Sequence, residues 1–274
     1  MDNPLIKPFV KNEAMVMLAF DHRGSFRKLM EEGGKEVSEE MMIDLKQKII
    51  KTVSDDVSGM LIDQDYGLPA YRSLGLEMPF LLPIEKSGYS DEEGERVTEI
   101  GYTADSIKEA GALGIKLLLY VNTNLTNSWT KQMATAKEVI AEGKRVGLPV
   151  FLEFVMYDTE VKSGSVASAV ALAIEQGVIP DVWKLPYPGS PEECQEVTSL
   201  VGETPWILLT GGGTFENFEE ESRDAKAAGA VGCLAGRSLW QEATGLYDQE
   251  EKLIEFLAQS LKGRVEEIRN IFEN

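Results

Sequence analysis

The sequence predicts a (β/α)₈ barrel, one domain over residues 1–274, from three observations. Eight short apolar runs recur along the chain. Amphipathic stretches separate them. The spacing of the runs, about 25 to 45 residues, is that of repeated strand–helix units. Near-continuous apolar strands alternating with helices call for a parallel sheet buried on both faces, and eight units in 274 residues match the size of a closed barrel. An open doubly wound sheet is the alternative. Its usual G-x-G-x-x-G turn after the first strand is missing, because the chain there reads DHRGSF.

The candidate strands are 15–21 (MVMLAFD), 59–63 (GMLID), 80–85 (FLLPIE), 114–121 (GIKLLLYV), 149–156 (PVFLEFVM), 181–187 (DVWKLPY), 205–210 (PWILLT) and 232–236 (GCLAG). Helical periodicity marks 38–53, 129–146, 165–176 and 215–228. Glycine follows several helices, in EAGALGIK, KRVGLPV, EQGVIPD and KAAGAVG, where a left-handed cap would end them. The link 64–79 reads as a short or irregular helix. Helical stretches at 239–245 and 248–272 close the chain, the last as a C-terminal helix.

The formal charge is -19 and no stretch gathers Lys and Arg into a basic block, which argues against a nucleic-acid partner. No segment approaches 18 uninterrupted apolar residues, and the first fifteen lack the apolar core of a signal peptide, so neither a membrane span nor export is expected. Cys194 and Cys233 are too few for a disulfide framework, which suits a reducing cytoplasm. His22 is the single histidine. That count excludes a His-rich metal site, while an all-oxygen magnesium site on Asp21, Asp63 and Glu85 stays open.

In this fold the active site lies at the C-terminal ends of the strands. Those positions carry Asp21, His22 and Arg23; Asp63, Gln64 and Asp65; Glu85 and Lys86; and Asn122 and Asn124. Lys116, Glu153 and Lys184 fall inside apolar runs four, five and six. An unpaired buried ammonium costs several kcal/mol and answers by lowering its pKa, which an amine nucleophile requires. A neutral lysine attacks a ketone to give a carbinolamine and then an iminium, and the iminium draws electrons from the neighbouring C–C bond. Lys184 is the candidate nucleophile, with Lys116 tuning it by charge repulsion and binding a substrate oxygen. Glu153, its pKa raised by burial, is the candidate proton shuttle. The same three residues also allow a purely structural reading, as ion pairs among themselves and with Asp21.

Loops after strands seven and eight of such barrels commonly cradle phosphate with backbone N–H groups. Gly211, Gly212 and Gly213, then Gly236, Arg237 and Ser238, stand at that address and point to an anionic substrate. Arg23 and Gln64 are further candidates for holding it.

The segments MLAFDHRGSF (17–26), IKLLLY (115–120), PVFLEFVMYD (149–158), DVWKLPYP (181–188), LLTGGG (208–213) and LAGRSLW (234–240), taken in order, resemble the class I aldolases that include tagatose-1,6-bisphosphate and sulfofructosephosphate aldolases, and the aldolase-like C-terminal domain of some inositol-catabolism kinases. The resemblance implies that Lys184 forms the Schiff base, that Glu153 handles protons, that Asp21 and Lys116 line the catalytic centre, and that Gly212 and Arg237 hold a phosphate or sulfonate. The chain departs from the tagatose-bisphosphate enzymes at WKLPYPGS and at DHRGS, where they tend to have DQRG; both segments flank the substrate.

The expected activity is reversible cleavage of a phosphorylated or similarly anionic ketose to dihydroxyacetone phosphate, or a related three-carbon piece, plus an aldehyde, with no cofactor. A cofactor-free isomerase or epimerase, a magnesium lyase and a sugar-phosphate-binding regulator are the alternatives. Barrels of this type often pair through their outer helices, so a homo-oligomer is expected. The stretch 248–272 would serve either that contact or packing on its own barrel.

Overall fold

A computed structural model describes residues 3–122, 124, 126–157 and 164–274. Asp158, the last residue of the PVFLEFVMYD segment, lies outside them. Eight parallel strands close a barrel: β1 (Met15–Phe20), β2 (Gly59–Ile62), β3 (Phe80–Pro83), β4 (Gly114–Val121), β5 (Val150–Met156), β6 (Val182–Leu185), β7 (Trp206–Leu209) and β8 (Gly232–Ala235). Each pairs with its neighbour in sequence, and β8 returns to β1 in the register Met15↔Gly232 and Met17↔Leu234. Closure is sterically exacting: a Cβ on Gly232 would stand 2.0 Å from the Met15 carbonyl oxygen.

Alternation along the strands divides two cores. Outward residues such as Val16, Leu18, Leu117, Leu152, Trp183 and Leu208 pack under the helices. Inward residues Met15, Met17, Leu61, Leu81, Phe151, Val182, Ile207 and Leu234 fill the lower barrel. That inner core is finished by a feature absent from the sequence reading. The chain before β1 makes a short turn of 3-10 helix, Lys7–Phe9, and inserts Ile6 and Phe9 into the barrel base. The Phe9 ring meets Phe151 edge-on at 5.3 Å, and a Cβ on Gly59 would stand 2.9 Å from Phe9 Cδ1, so the plug seats against a bare backbone.

The helices follow local signals. They are α1 (Gly24–Met30), α2 (Glu39–Val53), α3 (Gly67–Ser73), α4 (Ala104–Glu109), α5 (Thr126–Val146), α6 (Ser165–Glu175), α7 (Pro191–Val201) and α8 (Phe215–Ala228). The Ser38 hydroxyl accepts the Met41 N–H at the start of α2, and Glu39 and Glu40 sit in its first turn, where the helix dipole favours acids. Met42, Leu45, Ile49 and Val53 are buried at helical spacing. Glycines end helices as expected, Gly147 at φ 76° after α5 and Gly229 at φ 111° after α8.

Three outcomes differ from the sequence reading. An antiparallel hairpin, Ser90–Glu92 with Glu95–Val97, stands after β3; all its strand residues but Val97 are polar, so no apolar alternation announces it. The stretch 239–245 divides into α9 (Arg237–Trp240) and α10 (Glu242–Gly245). The closing stretch divides into α11 (Glu250–Glu255), a π-helical turn Phe256–Leu261 and α12 (Lys262–Glu273). Val265, Ile268 and Phe272 of α12 are buried, and the helix packs on α8, α2 and β1 of its own barrel.

Lys46 is the exception on the apolar face of α2, with no exposed surface. Its ammonium donates to Asp63 Oδ2 at 2.7 Å, to the Phe20 carbonyl at 2.7 Å and to the His22 carbonyl at 3.0 Å. The Phe20 and Phe26 rings lie within 4.2 and 5.0 Å of it. Burial pushes its pKa down and Asp63 opposes the fall. Asp63 also accepts the N–H groups of Asp65, Tyr66 and Gly67 and so starts α3. One fully buried ion pair thereby ties the top of β1 to the top of β2.

Two substitutions test these supports. Phe9→Ala removes the plug's largest side chain and is expected to cost about 3–5 kcal/mol in urea unfolding. Lys46→Met leaves Asp63 buried without its cation and is expected to cost about 3–5 kcal/mol, whereas Lys48→Met breaks the exposed pair with Asp44 and the approach to the Tyr247 ring and should cost less than about 1 kcal/mol.

Candidate active site

The strand register brings the charged residues together. Leu118 pairs across from Glu153, and Glu153 pairs across from Lys184, so β4, β5 and β6 present Lys116, Glu153 and Lys184 to one side of the barrel interior. The inward alternation that places Phe151 in the lower core places Glu153 one layer above it. Asp21, one residue past β1, and Glu85, two past β3, complete the layer.

Lys116 is the centre of this cluster. Its Nζ lies 2.9 Å from Asp21 Oδ2, 2.5 Å from Glu85 Oε1 and 3.2 Å from Glu153 Oε2. Burial opposes its charge, but Asp21, Glu85 and Glu153 together raise its pKa well above the ordinary lysine value. Lys116 is thus a fixed cation. Lys184 Nζ stands 2.7 Å from the same Glu153 oxygen, so Glu153 bridges the two ammonium groups.

The carboxyls divide in their titration. Glu153 was expected high from burial alone. Burial does push it up, but Lys184 and Lys116 outweigh that and the net shift is downward. Asp21 behaves likewise, with burial overridden by Lys116, His22 and Lys184 until it lies well below the usual carboxylate range. Glu85 goes the other way: burial raises it, the Asp21 anion adds to the rise, and Lys116 recovers only part. Of the three, Glu85 holds a proton most readily, while the Leu118 N–H donates to its other oxygen at 3.2 Å.

Above this layer opens a cavity of about 550 Å³, lined by Asp21, Lys116, Glu153 and Lys184 and reached at its rim by Arg23, Lys28, Lys86 and Arg237. The loops after β7 and β8 are joined where the Gly236 N–H donates to Thr210 Oγ1 at 3.1 Å. Gly212 takes φ 87°, and a Cβ there would stand 2.8 Å from Arg237 Nη2, so the guanidinium approaches a bare loop. Gly211, Gly236 and Arg237 line the cavity, and Gly212 and Gly213 fall outside its lining. Arg23 faces Asp65 at 3.6 Å and the Glu85 carbonyl. Gln64 stays outside the lining and donates to the Pro83 carbonyl at 2.9 Å, which ties the loop after β2 to β3.

The proposed oxygen cage of Asp21, Asp63 and Glu85 is not assembled. Asp63 is taken by Lys46 and the start of α3, and Lys116 occupies the point on which Asp21 and Glu85 converge. Glu85 was weighed in the sequence only as a metal ligand. Its parity with Leu81 and Pro83 along the third strand was the signal that it points inward beside Lys116. Tyr120, two residues above Leu118, also lines the cavity and was not singled out, and His22, named at the end of the first strand but given no role, lines it too.

Comparison with known proteins sets this site in a family. The family model described as DeoC/LacD family aldolase matches residues 15–242. Tagatose 1,6-diphosphate aldolase 2 of Streptococcus agalactiae is 28% identical, over 96% of this chain and 92% of its own length. Tagatose 1,6-diphosphate aldolase of Lactococcus lactis is 29% identical, over 88% and 84%. An archaeal fructose 1,6-bisphosphate aldolase shares the fold at a TM-score of 0.68 and 17% identity, covering 98% of this chain and 97% of that one. Fructose-bisphosphate aldolase from Plasmodium falciparum does so at 0.75 and 15%, covering 98% and 93%. The chain belongs to the DeoC/LacD family of aldolases and is an aldehyde-lyase.

Proposed function

We propose that the protein reversibly cleaves a phosphorylated or similarly anionic ketose through a Schiff base on Lys184, releasing an aldehyde and dihydroxyacetone phosphate or a related three-carbon piece. The observation that carries this reading is Lys184 itself: a lysine on a barrel strand, 4% exposed, its Nζ 2.7 Å from a carboxylate and opening onto a cavity with Arg237 at the rim. The relatives are named for tagatose 1,6-diphosphate. One solved structure of similar fold is described as having its catalytic Lys covalently bound to the carbinolamine intermediate of the substrate.

In this reading Glu153 takes a proton from the Lys184 ammonium, and the freed amine attacks the substrate carbonyl carbon. The carbonyl oxygen takes one proton from the attacking nitrogen to become the carbinolamine hydroxyl and leaves as water when Glu153 returns a second proton to it. The C–N double bond that remains is a cationic iminium. Lys116 keeps its charge throughout and donates to a substrate oxygen, while Arg237 and the N–H groups of the β7 and β8 loops hold the anionic end. Catalysis needs no cofactor.

A cytoplasmic, homo-oligomeric enzyme completes the proposal. The buried free thiols of Cys194 and Cys233 suit a reducing compartment. The exposed apolar side chains of Leu172 on α6 and Ile179 beyond it suit a contact between copies.

Borohydride reduction in the presence of dihydroxyacetone phosphate is expected to leave a covalent adduct on the peptide carrying Lys184, read by mass spectrometry; a folded chain without it refutes the mechanism. Lys184→Met should lose the adduct and all measurable cleavage. Glu153→Gln should lower kcat by about 10²- to 10⁴-fold, as for loss of a positioned acid–base group, in a coupled assay of triose phosphate release.

A further inference from the structure

We propose that His22 is a catalytic residue of the bond-breaking step, its Nε2 accepting the proton of the substrate hydroxyl that becomes the aldehyde oxygen. The inference rests on the Schiff-base reading above and adds the base that this reading leaves unassigned.

The ring is held from several directions. It lies edge-on to Trp240, centroids 5.1 Å apart at 74°, and a Cβ on Gly236 would stand 3.5 Å from His22 Cε1. Trp240 is itself anchored by its indole N–H, which donates to the Ala19 carbonyl at 3.1 Å. Lys46 fixes the His22 carbonyl from below. A side chain clamped this way lines the cavity in company with Lys184 and Arg237.

The two ring nitrogens have different surroundings. Nδ1 is buried, lacks a hydrogen-bond partner among the described residues, and stands 3.8 Å from Asp21 Oδ1. Because Asp21 is held as the anion, the ring proton is favoured on Nδ1, facing the carboxylate. Nε2 then carries the lone pair. The side chain is 23% exposed and lines the cavity, and with Nδ1 buried the cavity side is assigned to Nε2.

The other groups at the cavity make poor bases. Lys116, Arg23 and Arg237 donate and cannot accept. Asp21 is already paired with Lys116, and Glu153 with both Lys116 and Lys184, whose proton it handles. Glu85 is engaged by Lys116 and the Leu118 N–H. The imidazole is neutral and so free to accept: burial pushes it down to about 4 against the pull of Asp21, and Lys46, Arg237 and Lys184 add to the fall.

The step balances. The bond between the carbon next to the iminium and the hydroxyl-bearing carbon breaks, and its electron pair neutralises the iminium to an enamine. The hydroxyl proton passes to Nε2 as the C–O bond becomes the aldehyde double bond. Positive charge leaves the Lys184 nitrogen as it arrives on the ring, so one of the charges that depress His22 disappears while the proton transfers. Asp21 then stabilises the imidazolium.

His22→Gln keeps a polar side chain but cannot hold the proton. With dihydroxyacetone phosphate, His22→Gln is expected to form the borohydride adduct on Lys184 and to exchange the substrate's C3 hydrogen with deuterated water within threefold of wild type, since neither reaction involves that hydroxyl. Its kcat for cleavage of tagatose 1,6-diphosphate should fall at least 100-fold. His22→Ala should lose cleavage similarly and recover it when imidazole is added, in proportion to the neutral imidazole present. Cleavage by His22→Gln within threefold of wild type, or equal losses of exchange and cleavage, overturns the proposal. A wild-type chain that yields no adduct overturns the Schiff-base reading and this proposal with it, so the two failures are told apart by the wild-type control.

Discussion

The site depends on a single buried cation. Lys116 draws Asp21, Glu85 and Glu153 from three different strands onto one point, and without it three carboxyls in a closed barrel would repel one another and seek water. Its effect on the rest of the layer is indirect. By holding Glu153 as an anion, Lys116 leaves a carboxylate where Lys184 can reach it, and by lowering Asp21 it puts a negative charge beside the ring of His22. In the proposed mechanism Lys184 thus reacts beside a second lysine that never has to.

Lys46 does similar work one layer outward. It is a cation in an apolar setting, and its partners are a carboxylate and two backbone carbonyls of the segment that carries Asp21 and His22. Lys116 positions side chains from inside the barrel and Lys46 positions the backbone from outside it. The short β1 and β2 strands, six and four residues long, therefore end at defined places although the loops beyond them are irregular.

Most of the barrel was legible in the sequence because its strands are buried on both faces and its helices on one, which leaves runs and periodicities that a single chain displays. Lys184, Glu153 and Lys116 were legible for the same reason, as charges standing in apolar runs. What the sequence hid were sums over several strands. Glu153 looked like a raised carboxyl until two ammonium groups from β4 and β6 were counted against its burial. Glu85 looked like a metal ligand until Lys116 was found against it. Lys46 occupies a core position of α2, and nothing local announces that its partner follows the next strand. The Lys7–Phe9 turn and the hairpin before α4 are too short to carry a period.

The plug closes the base of the barrel among the described residues. Ile6 and Phe9 are wholly buried among Phe151, Leu61 and Val182, so nothing passes out below Lys116. Water expelled in forming a covalent intermediate, and each product in turn, must leave by the way the substrate came, past Arg23, Lys86 and Arg237. The charges that draw an anion in are therefore the ones it has to escape, and the same ions in solution that slow its arrival ease its departure. Turnover in such a vessel is a compromise struck at the rim, by residues that take no part in breaking the bond.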